Sequence, residues 1–459
     1  MLAARVIANH VDRVTVIERD DLPPRPAPRK GLPQARHAHL LWSGGARVIE
    51  TLLPGVMADL TAAGARRVGI PTDTVLLSTE GWLRRGPECQ FLMACSRDLL
   101  DWVIRQHVVA DTRVTLQEAT DVVGLLGDDS RVVGVRTRGR DTEVVSEVVA
   151  DYVIDATGRG SQADRWLVEL GLPAVREEVV DAGVAYASRE YRAPDAAGSG
   201  FPIINVQPNP RDRRPGCGAG LLPIEGGRWL VTLTGTRGGE PPTDEDAFVA
   251  FAGAAVRHPL VADLIAHAQP SGPIYGSHST ANRRRRYERM TRWPDRFVVM
   301  GDAVAIFNPV YGHGMSVAAL AAAAIGDGLR ANGLDRSARR IQRVVARSVE
   351  GAWVMATGQD IRYPEAVGPP QTRVDALIQR YVNRLTGTAI ERPHVMRALF
   401  DAFSLSAPMT RLITPAVALS TLLGPRHPPL AETPLTLHEA ALLGNDIRPT
   451  SEPGPDPGA

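Results

Sequence analysis

The pattern of hydrophobic and polar positions begins with a helix and a short strand. Apolar residues at helical spacing over 2–7 are followed by the β-branched stretch 14–17, a strand that ends at Glu18. This order is typical of the second half of a βαβ nucleotide-binding unit, in which an acidic strand tip lies about 20 residues beyond a glycine-rich loop. Because Glu18 is too close to Met1 for that loop, we expect the first strand and its glycine loop to be missing from the chain.

Helical and strand patterns then alternate up to about residue 180, as in an α/β fold. We predict an irregular Pro- and Arg-rich connection at 21–36, a helical region at 37–64, strands within 67–93, a helix from Arg97 to about His107, a hairpin formed by 114–126 and 132–138, and a buried strand at 152–155. These elements together predict one α/β domain.

Residues 181–236 have a different pattern, with several strand-like stretches and little helix between them. Such a run predicts an antiparallel sheet and therefore a second domain. Helical spacing returns at 244–267, and a compact apolar strand at 297–300 precedes a Gly-Asp pair. A long helical region then extends to about residue 423, and the proline-rich tail 424–459 is expected to be disordered.

Composition and charge narrow the possible functions. The chain has 459 residues, enough for more than one domain. Its 52 Lys and Arg residues balance 51 Asp and Glu residues, and a net charge of +1 argues against a nucleic-acid binder. Lys30 is the single lysine, and its surroundings match neither a Schiff-base site nor a Walker phosphate loop. Three scattered cysteines favour neither a disulfide framework nor a four-cysteine zinc site.

The sequence also argues against a membrane span and a metal site. No apolar run approaches the ~18 residues that cross a bilayer, and no charged leader with an apolar core opens the chain, so we expect a cytoplasmic protein. His37 and His39 are separated by two positions, which places them on different faces of a helix, and no cluster of further ligands is evident. We therefore expect no bound metal.

Three features carry candidate chemistry, each at the end of a predicted strand. Glu18 either binds a ribose hydroxyl or is a solvated acid at a strand tip. Asp155 enters a glycine turn that either meets a ligand or only joins a strand to a helix. Gly301 and Asp302 precede a glycine-containing loop at 307–315 and a helix of small residues, whose free amides would stabilise an anion or an electron-rich carbonyl. The alternative for this loop is a purely structural connection.

With these motifs the sequence resembles the class A flavoprotein monooxygenases of the para-hydroxybenzoate hydroxylase type. The family's Gly-Asp motif is matched by Gly301 and Asp302, and its Asp-Gly motif by Asp155 and Gly158 with Ala-Thr inserted. Arg97 resembles the family's arginine at the head of a helix near the cofactor phosphates. Within the family, the chain is similar to the flavin-dependent epoxidases of polyether ionophore biosynthesis. The stretches that carry this second resemblance are 29–45, 153–161, 180–187, 226–229 and 308–316.

The resemblance implies an α/β fold with a Rossmann-like FAD-binding domain, lacking its first strand and glycine loop, an inserted antiparallel β-sheet substrate domain and a helical C-terminal region. The implied boundaries are 1–180 for the first part of the FAD-binding domain, 181–275 with parts of 65–95 for the substrate domain, 276–330 for the second part of the FAD-binding domain, 331–423 for the helical region and 424–459 for the tail. In such a fold the sheet forms the floor of the substrate pocket.

The resemblance also implies FAD as cofactor, NADPH or NADH as reductant, and O2 with a small polyketide as substrates. A flavin hydroperoxide would epoxidise the alkenes of that polyketide, and no acid or base triad is required. His313 either contacts flavin or substrate or only fills the turn. The implied cofactor-binding residues are Glu18, Arg19, Lys30, Arg97, Val122, Asp155, Gly158, Gly301, Asp302, Pro309, Gly312, Gly314 and Met315.

Two other functions stay open at this point. One is an FAD-dependent hydroxylase of an aromatic or polyketide substrate, which shares many of the same stretches. The other is a cofactor-free remnant without activity, because a chain without the glycine loop would lose much of the pyrophosphate site. A flavin halogenase is disfavoured, because the chain lacks a suitably placed catalytic lysine and the paired-tryptophan motif of that family.

Overall fold

The computed structural model describes residues 1–278 and 280–443. Its helices are α1 Leu2–Ile7, α2 Ser43–Leu52, α3 Val56–Ala62, α4 Arg97–Val109, α5 Ala163–Glu169, α6 Glu245–Ala254, α7 Leu260–Ile265, α8 Gly314–Asn332, α9 Ala338–Asp360, α10 Arg373–Ala389, α11 Pro393–Phe403, α12 Pro415–Leu423 and α13 Leu437–Ala441. Its strands are β1 Val14–Ile17, β2 Leu40–Trp42, β3 Arg66–Ile70, β4 Thr74–Ser78, β5 Gly81–Trp82, β6 Gln90–Ala94, β7 Val114–Gln117, β8 Thr120–Gly127, β9 Val132–Gly139, β10 Val145–Val149, β11 Val153–Asp155, β12 Glu177–Val180, β13 Ala185–Arg192, β14 Ile203–Val206, β15 Cys217–Ile224, β16 Arg228–Gly235, β17 Gln269–Ser277, β18 Asn282–Arg285, β19 Phe297–Val299 and β20 Ala305–Ile306.

We call the parallel strands and the helices that cover them the α/β unit. Two pairs of parallel strands lie at its centre. β1 pairs with β7, and β11 pairs with β19, with Asp155 opposite Val299. Buried apolar side chains of α1, α8 and α9 share one core with β19, so these helices cover the strands. Because β11 and β19 run side by side in the same direction, the turns that follow them lie at the same edge.

Two of the elements predicted before residue 130 are wrong in detail. The strand predicted over 114–126 is divided at Ala119, where φ is +48°. The first part is β7, which pairs with β1, and the second is β8, which forms the predicted hairpin with β9. The helical region predicted over 37–64 is interrupted at its beginning, because Leu41 and Trp42 pair with β6 and form β2.

The antiparallel sheet predicted over 181–236 is confirmed, as the main part of a larger sheet. Its strand order is β17, β13, β16, β15, β14, β4 and β5, and among these neighbours only β14 and β4 are parallel. Side chains alternate between the two faces of each strand. On one face Val231 and Leu233 are buried with residues of α6 and α7. The opposite face, with Thr232 and Thr234, is turned toward the α/β unit.

The C-terminal part is helical as predicted, from α9 to α12. The expected disorder of the whole tail is wrong for residues 424–443. Leu430 forms a β-bridge with Trp82, and Leu435 and Leu442 pack against the core of the large sheet. Burial of these apolar side chains gives the segment the stabilisation that a disordered tail lacks. The rest of the predicted tail, residues 444–459, lies outside the described residues.

Candidate functional site

The turn after β19 places an aspartate in a notch lined by glycines. Gly301 has a φ of +62°, and a Cβ added there would meet nothing within 4 Å. Asp302 is half-buried. Its Cβ lies 3.9 Å from the position that a Gly158 Cβ would take, and its Oδ1 lies 3.8 Å from the corresponding position at Gly314. The notch therefore joins the turn after β11, the turn after β19 and the start of α8.

Two arginines face this aspartate. Burial raises the pKa of the Asp302 carboxyl, and the positive charges of Arg159 and Arg97 oppose that rise. Arg97 is the first residue of α4, whose start is capped by Ser96 through a 3.1 Å bond from the Leu99 amide to Oγ. Arg97 is therefore close enough to Asp302 for its charge to act on that carboxyl.

The turn after β11 uses its aspartate differently. Asp155 is buried, and its Oδ1 accepts hydrogen bonds from the Thr157 amide at 2.8 Å and the Thr157 hydroxyl at 2.6 Å. Its Oδ2 accepts from the Ser161 hydroxyl at 2.6 Å. The carboxylate therefore closes its own turn and fixes Gly158, whose φ is +74°. Asp155 is expected to bind the cofactor, but in the structure both of its carboxylate oxygens are used to hold the turn that forms one wall of the notch.

The glycine-containing loop predicted at 307–315 lies beside the notch. Pro309–Tyr311 is a single 3-10 turn, Gly312 has a φ of +66°, and α8 begins at the second glycine. A Cβ on Gly312 would come within 3.1 Å of Leu40 and of Trp42, so only glycine lets β2 approach so closely. The amides of residues 314–316 open a helix of 19 residues and have no intrahelical acceptor. They form a donor set suited to an anion or a carbonyl.

A buried carboxylate that the sequence analysis missed holds this loop in place. Asp360, at the end of α9, accepts hydrogen bonds from Tyr311 Oη at 2.6 Å, Asn308 Nδ2 at 2.9 Å and Asn282 Nδ2 at 2.7 Å. Tyr186 of the large sheet donates to Asn308 Oδ1 at 2.7 Å. Burial raises the pKa of Asp360, and the three donors oppose that rise.

This network ties the loop 307–315 to α9, β18 and the large sheet. A clue existed in the sequence, since Asp360 continues the apolar series Ala352 and Ala356 on the buried face of α9. A carboxylate at such a position requires polar partners.

Two predicted residues, Glu18 and Arg97, belong to an ionic cluster with Arg29 and Asp101. Glu18 Oε2 accepts from Arg29 Nη1 at 3.0 Å, and Arg29 Nη2 donates to Asp101 Oδ1 at 3.3 Å. Arg97 Nη1 also donates to Asp101 Oδ1, at 3.5 Å. The cluster brings Glu18 and Arg97 together at one end of the site, with the carboxylate of Glu18 already paired to an arginine.

The side chains of three other predicted residues form no hydrogen bond or ion pair with these groups in the described residues. Arg19 is exposed and donates to the Gly31 carbonyl at 3.3 Å, and Lys30 is exposed beside it. Val122 pairs with Thr137 inside the β8 and β9 hairpin and packs against the core of the α/β unit. None of the three side chains is therefore seen to join the Asp302 notch in the described residues.

His313 lies at the start of α8 and is buried. Its Nε2 is 2.9 Å from the Phe403 carbonyl, which can only accept, so Nε2 carries the proton. Nδ1 is then an acceptor, and it has no partner among the described residues. Burial lowers the pKa of His313 to about 4, so the ring is neutral at neutral pH. Met315, the second residue of α8, packs toward α4.

The face of the large sheet turned to the loop carries small and hydroxylated side chains. Ser188 is paired across β13 and β16 with Thr232, and their hydroxyls are 2.7 Å apart. His37 Nδ1 lies 2.8 Å from Ser188 Oγ, and burial lowers the His37 pKa to about 4. Gly218 and Gly220 of β15 lie on the same face, because they are opposite Thr234 and Thr232. At these residues the face has little side-chain volume, whereas Tyr186, Leu222 and Leu230 lie beside them on the same face.

His37 and His39 do not converge on a metal. His39 Nδ1 donates to the His37 carbonyl at 2.8 Å, and His37 is engaged by Ser188. Within residues 1–278 and 280–443, no group of three or more His, Cys, Asp or Glu side chains has a metal-binding arrangement.

Comparison with known proteins adds a family to this geometry. A family model for the FAD binding domain matches residues 30–332. A protein of Mycobacterium tuberculosis, Rv3254, is 32% identical over 417 residues, which cover 88% of this chain and 87% of that protein.

Solved structures share the fold at low sequence identity. A flavoprotein/dehydrogenase from Cytophaga hutchinsonii has a TM-score of 0.64 at 13% identity and covers 92% of this chain and 94% of that one. PqsL, a probable FAD-dependent monooxygenase from Pseudomonas aeruginosa, has a TM-score of 0.54 at 16% identity, with 87% and 96% covered. The flavin-dependent brominase Bmp2 has a TM-score of 0.56 at 15% identity, with 92% and 90% covered.

Proposed function

This chain belongs to the FAD-binding-domain family, and we propose that it is an FAD-dependent monooxygenase that epoxidises alkenes of a polyketide (polyene) intermediate in polyether-type biosynthesis. NADPH or NADH would reduce the flavin, and O2 would be the second substrate. The observation that carries the proposal is the junction of the Asp302 notch with the free amides of α8, next to a loop that the Tyr186 to Asn308 hydrogen bond ties to the large sheet. One side of this junction suits a cofactor and the other an organic substrate.

The residues present fit FAD. The Asp302 carboxylate takes part in none of the hydrogen bonds or ion pairs among the described residues, so it is available to a sugar or ribitol hydroxyl. A Cβ on Gly301 or Gly160 would meet nothing within 4 Å, which leaves room for a ligand against the backbone. Arg97 can pair with phosphate oxygens. FAD, when bound, supplies the redox and oxygen-activating chemistry.

The chain's own residues would then bind, orient and exclude water. The amides of residues 314–316 would polarise the electron-rich edge of the ring system, and Asp360 would keep the loop rigid through Tyr311. His313 is neutral and donates its single ring proton to the Phe403 carbonyl, so it holds no proton to give. Alkene epoxidation requires no protonated residue, which agrees with the neutral His313 and His37.

A second function, hydroxylation of an aromatic or polyketide substrate, is favoured by one feature. The chain of His37, Ser188 and Thr232 gives the sheet face a hydrogen-bonded relay that could accept a proton from a phenol. Such a relay has no task in the epoxidation of an isolated alkene. The two functions therefore differ in whether the His37 relay is needed for turnover.

The purified full chain with FAD, NADPH and 18O2 tests the proposal. With a polyene substrate we expect an increase of one labelled oxygen per oxidised double bond, measured by mass spectrometry, and the same activity in His37→Gln. A labelled phenol from an aromatic substrate, lost in His37→Gln, would move the assignment to hydroxylation. A colourless protein that does not change the spectrum of added FAD would identify a cofactor-free remnant and overturn both functions.

A further inference from the structure

The C-terminal helices carry apolar side chains that nothing in residues 1–278 and 280–443 covers. On α10, Val374, Leu377 and Ile378 follow helical spacing, and the same stripe continues through Tyr381 to Leu385. Leu385 is fully buried, whereas the first three side chains are exposed. The first half of this stripe therefore lies on the surface, and its second half lies in the core.

Neighbouring segments that contact α10 expose further apolar side chains. Tyr381 Oη donates to the Leu412 carbonyl at 2.6 Å, and Arg384 Nε donates to the Thr421 carbonyl at 2.7 Å, which binds α10 to the segment before α12 and to the end of α12. Each of the exposed side chains in this region is 55% to 67% accessible to solvent. We define the apolar patch by six of them: Val374, Leu377, Ile378, Ile413, Leu419 and Leu422.

The region around the patch is positively charged. Residues 371–427 contain seven arginines and three acidic residues, a net charge of +4, whereas the whole chain carries +1. The basic excess is thus concentrated in the part of the chain that exposes the apolar patch.

The three acids of this region are used internally. Asp375 accepts from the Thr372 amide and hydroxyl in the cap of α10, Glu391 is paired with His427, and Asp401 accepts from Gln90 at 2.6 Å. Asp401 also pairs with Arg411 at 3.4 Å, so one arginine of the region is neutralised. Arg373, Arg380 and Arg397 are exposed, and none forms an ion pair with an acid in the described residues.

We propose that the apolar patch and its arginines bind the surface of an anionic lipid bilayer. A helix with an apolar face and basic flanks lies in the plane of the interface, where apolar side chains enter the acyl boundary and arginines meet anionic headgroups. A second copy of the chain fits less well, because a two-fold contact would bring the unpaired arginines of both copies together. No helix within the described ranges is long and apolar enough to cross a membrane, so the contact would be peripheral.

Sedimentation with lipid vesicles tests the proposal without using flavin chemistry. The purified full chain is mixed with vesicles of phosphatidylcholine alone or with added phosphatidylglycerol. We expect binding to the anionic vesicles, weakened by added salt. Leu377→Glu with Ile378→Glu, and separately Arg373→Glu with Arg380→Glu, should each lower the partition coefficient by about tenfold or more. Val145→Glu with Val149→Glu, and Arg13→Glu with Arg25→Glu, at exposed positions elsewhere, change the charge equally and serve as matched controls.

Three results would overturn the proposal. The first is absence of binding to anionic vesicles by the wild-type chain. The second is an equal loss of binding in the control variants. The third is a wild-type dimer, seen by light scattering, that Leu377→Glu dissociates, which would assign the patch to a second copy. Circular dichroism of each variant shows whether it is folded, and Leu377→Gln with Ile378→Gln replaces the glutamate pair if that pair is not.

Discussion

Two turns at the same edge of the α/β unit begin alike and end differently. β11 and β19 are adjacent parallel strands, and each delivers an aspartate to a glycine turn. Asp155 accepts three hydrogen bonds within its own turn, from Thr157 and Ser161. Asp302 takes part in none among the described residues, and the residues after it, alanine and valine, have no hydroxyl to offer.

The difference teaches how to separate a structural aspartate from a ligand-binding one. An aspartate followed by hydroxyl residues two and six positions later satisfies its own oxygens. An aspartate followed by apolar residues must find its partners elsewhere, or keep its oxygens for a ligand. We therefore expect substitutions at Asp155 to change stability and substitutions at Asp302 to change FAD affinity.

The largest effect is expected for Asp155→Ala. The substitution removes three hydrogen bonds to a buried charge and leaves the Thr157 and Ser161 hydroxyls without their acceptor. We expect the free energy of unfolding to fall by about 3 kcal/mol, measured by urea denaturation. Asp141→Ala, at an exposed position, is the control and should change it by less than about 0.5 kcal/mol. An equal loss in the two variants would contradict the structural role of Asp155.

Asp302→Ala should have the next largest effect, and on a different quantity. It removes the carboxylate that we assign to a sugar or ribitol hydroxyl. The loss of such a bond costs about 2 kcal/mol, which is roughly a thirtyfold rise in the Kd of FAD. Quenching of flavin fluorescence on titration measures this Kd, again with Asp141→Ala as control. An unchanged Kd would remove Asp302 from the cofactor site.

The sequence could predict those parts of the site whose residues are close together in the chain. Strand tips at Glu18, Asp155 and Asp302, and the helix start that follows Gly312, follow from local periodicity and glycine placement. The antiparallel sheet was predictable for the same reason. The difference between the two aspartates was also present in the sequence, in the residues that follow each of them.

The missed parts depend on contacts between distant residues. Asp360 receives its donors from Asn282, Asn308 and Tyr311, which lie 49 to 78 positions away. β2 forms only because β6, about 50 residues later, pairs with it. The helix within the tail depends in the same way on the core of the large sheet. Local pattern does not encode such partners, since each segment taken alone is compatible with another structure. The expectation of a preceding strand and glycine loop stays a prediction.

The smallest effect is expected for Asp302→Asn in the protein without FAD, and it should have the opposite sign. Burial raises the pKa of Asp302, so the folded state binds a proton more tightly than the unfolded state does. Stability therefore falls as the pH rises from the ordinary aspartate pKa through the raised one, and at pH 7 the ionised carboxylate destabilises the free protein. The amide removes that cost, and we expect the free energy of unfolding at pH 7 to increase by less than about 1 kcal/mol. The difference in the free energy of unfolding between variant and wild type should disappear in acid, where the wild-type carboxyl is protonated.

With saturating FAD the order of stability should reverse, because the tighter ligand binding of the wild type adds to its stability. Urea denaturation at two pH values, with and without FAD, measures all three differences. A variant that is less stable than the wild type in the absence of FAD would mean that Asp302, like Asp155, holds its own turn together.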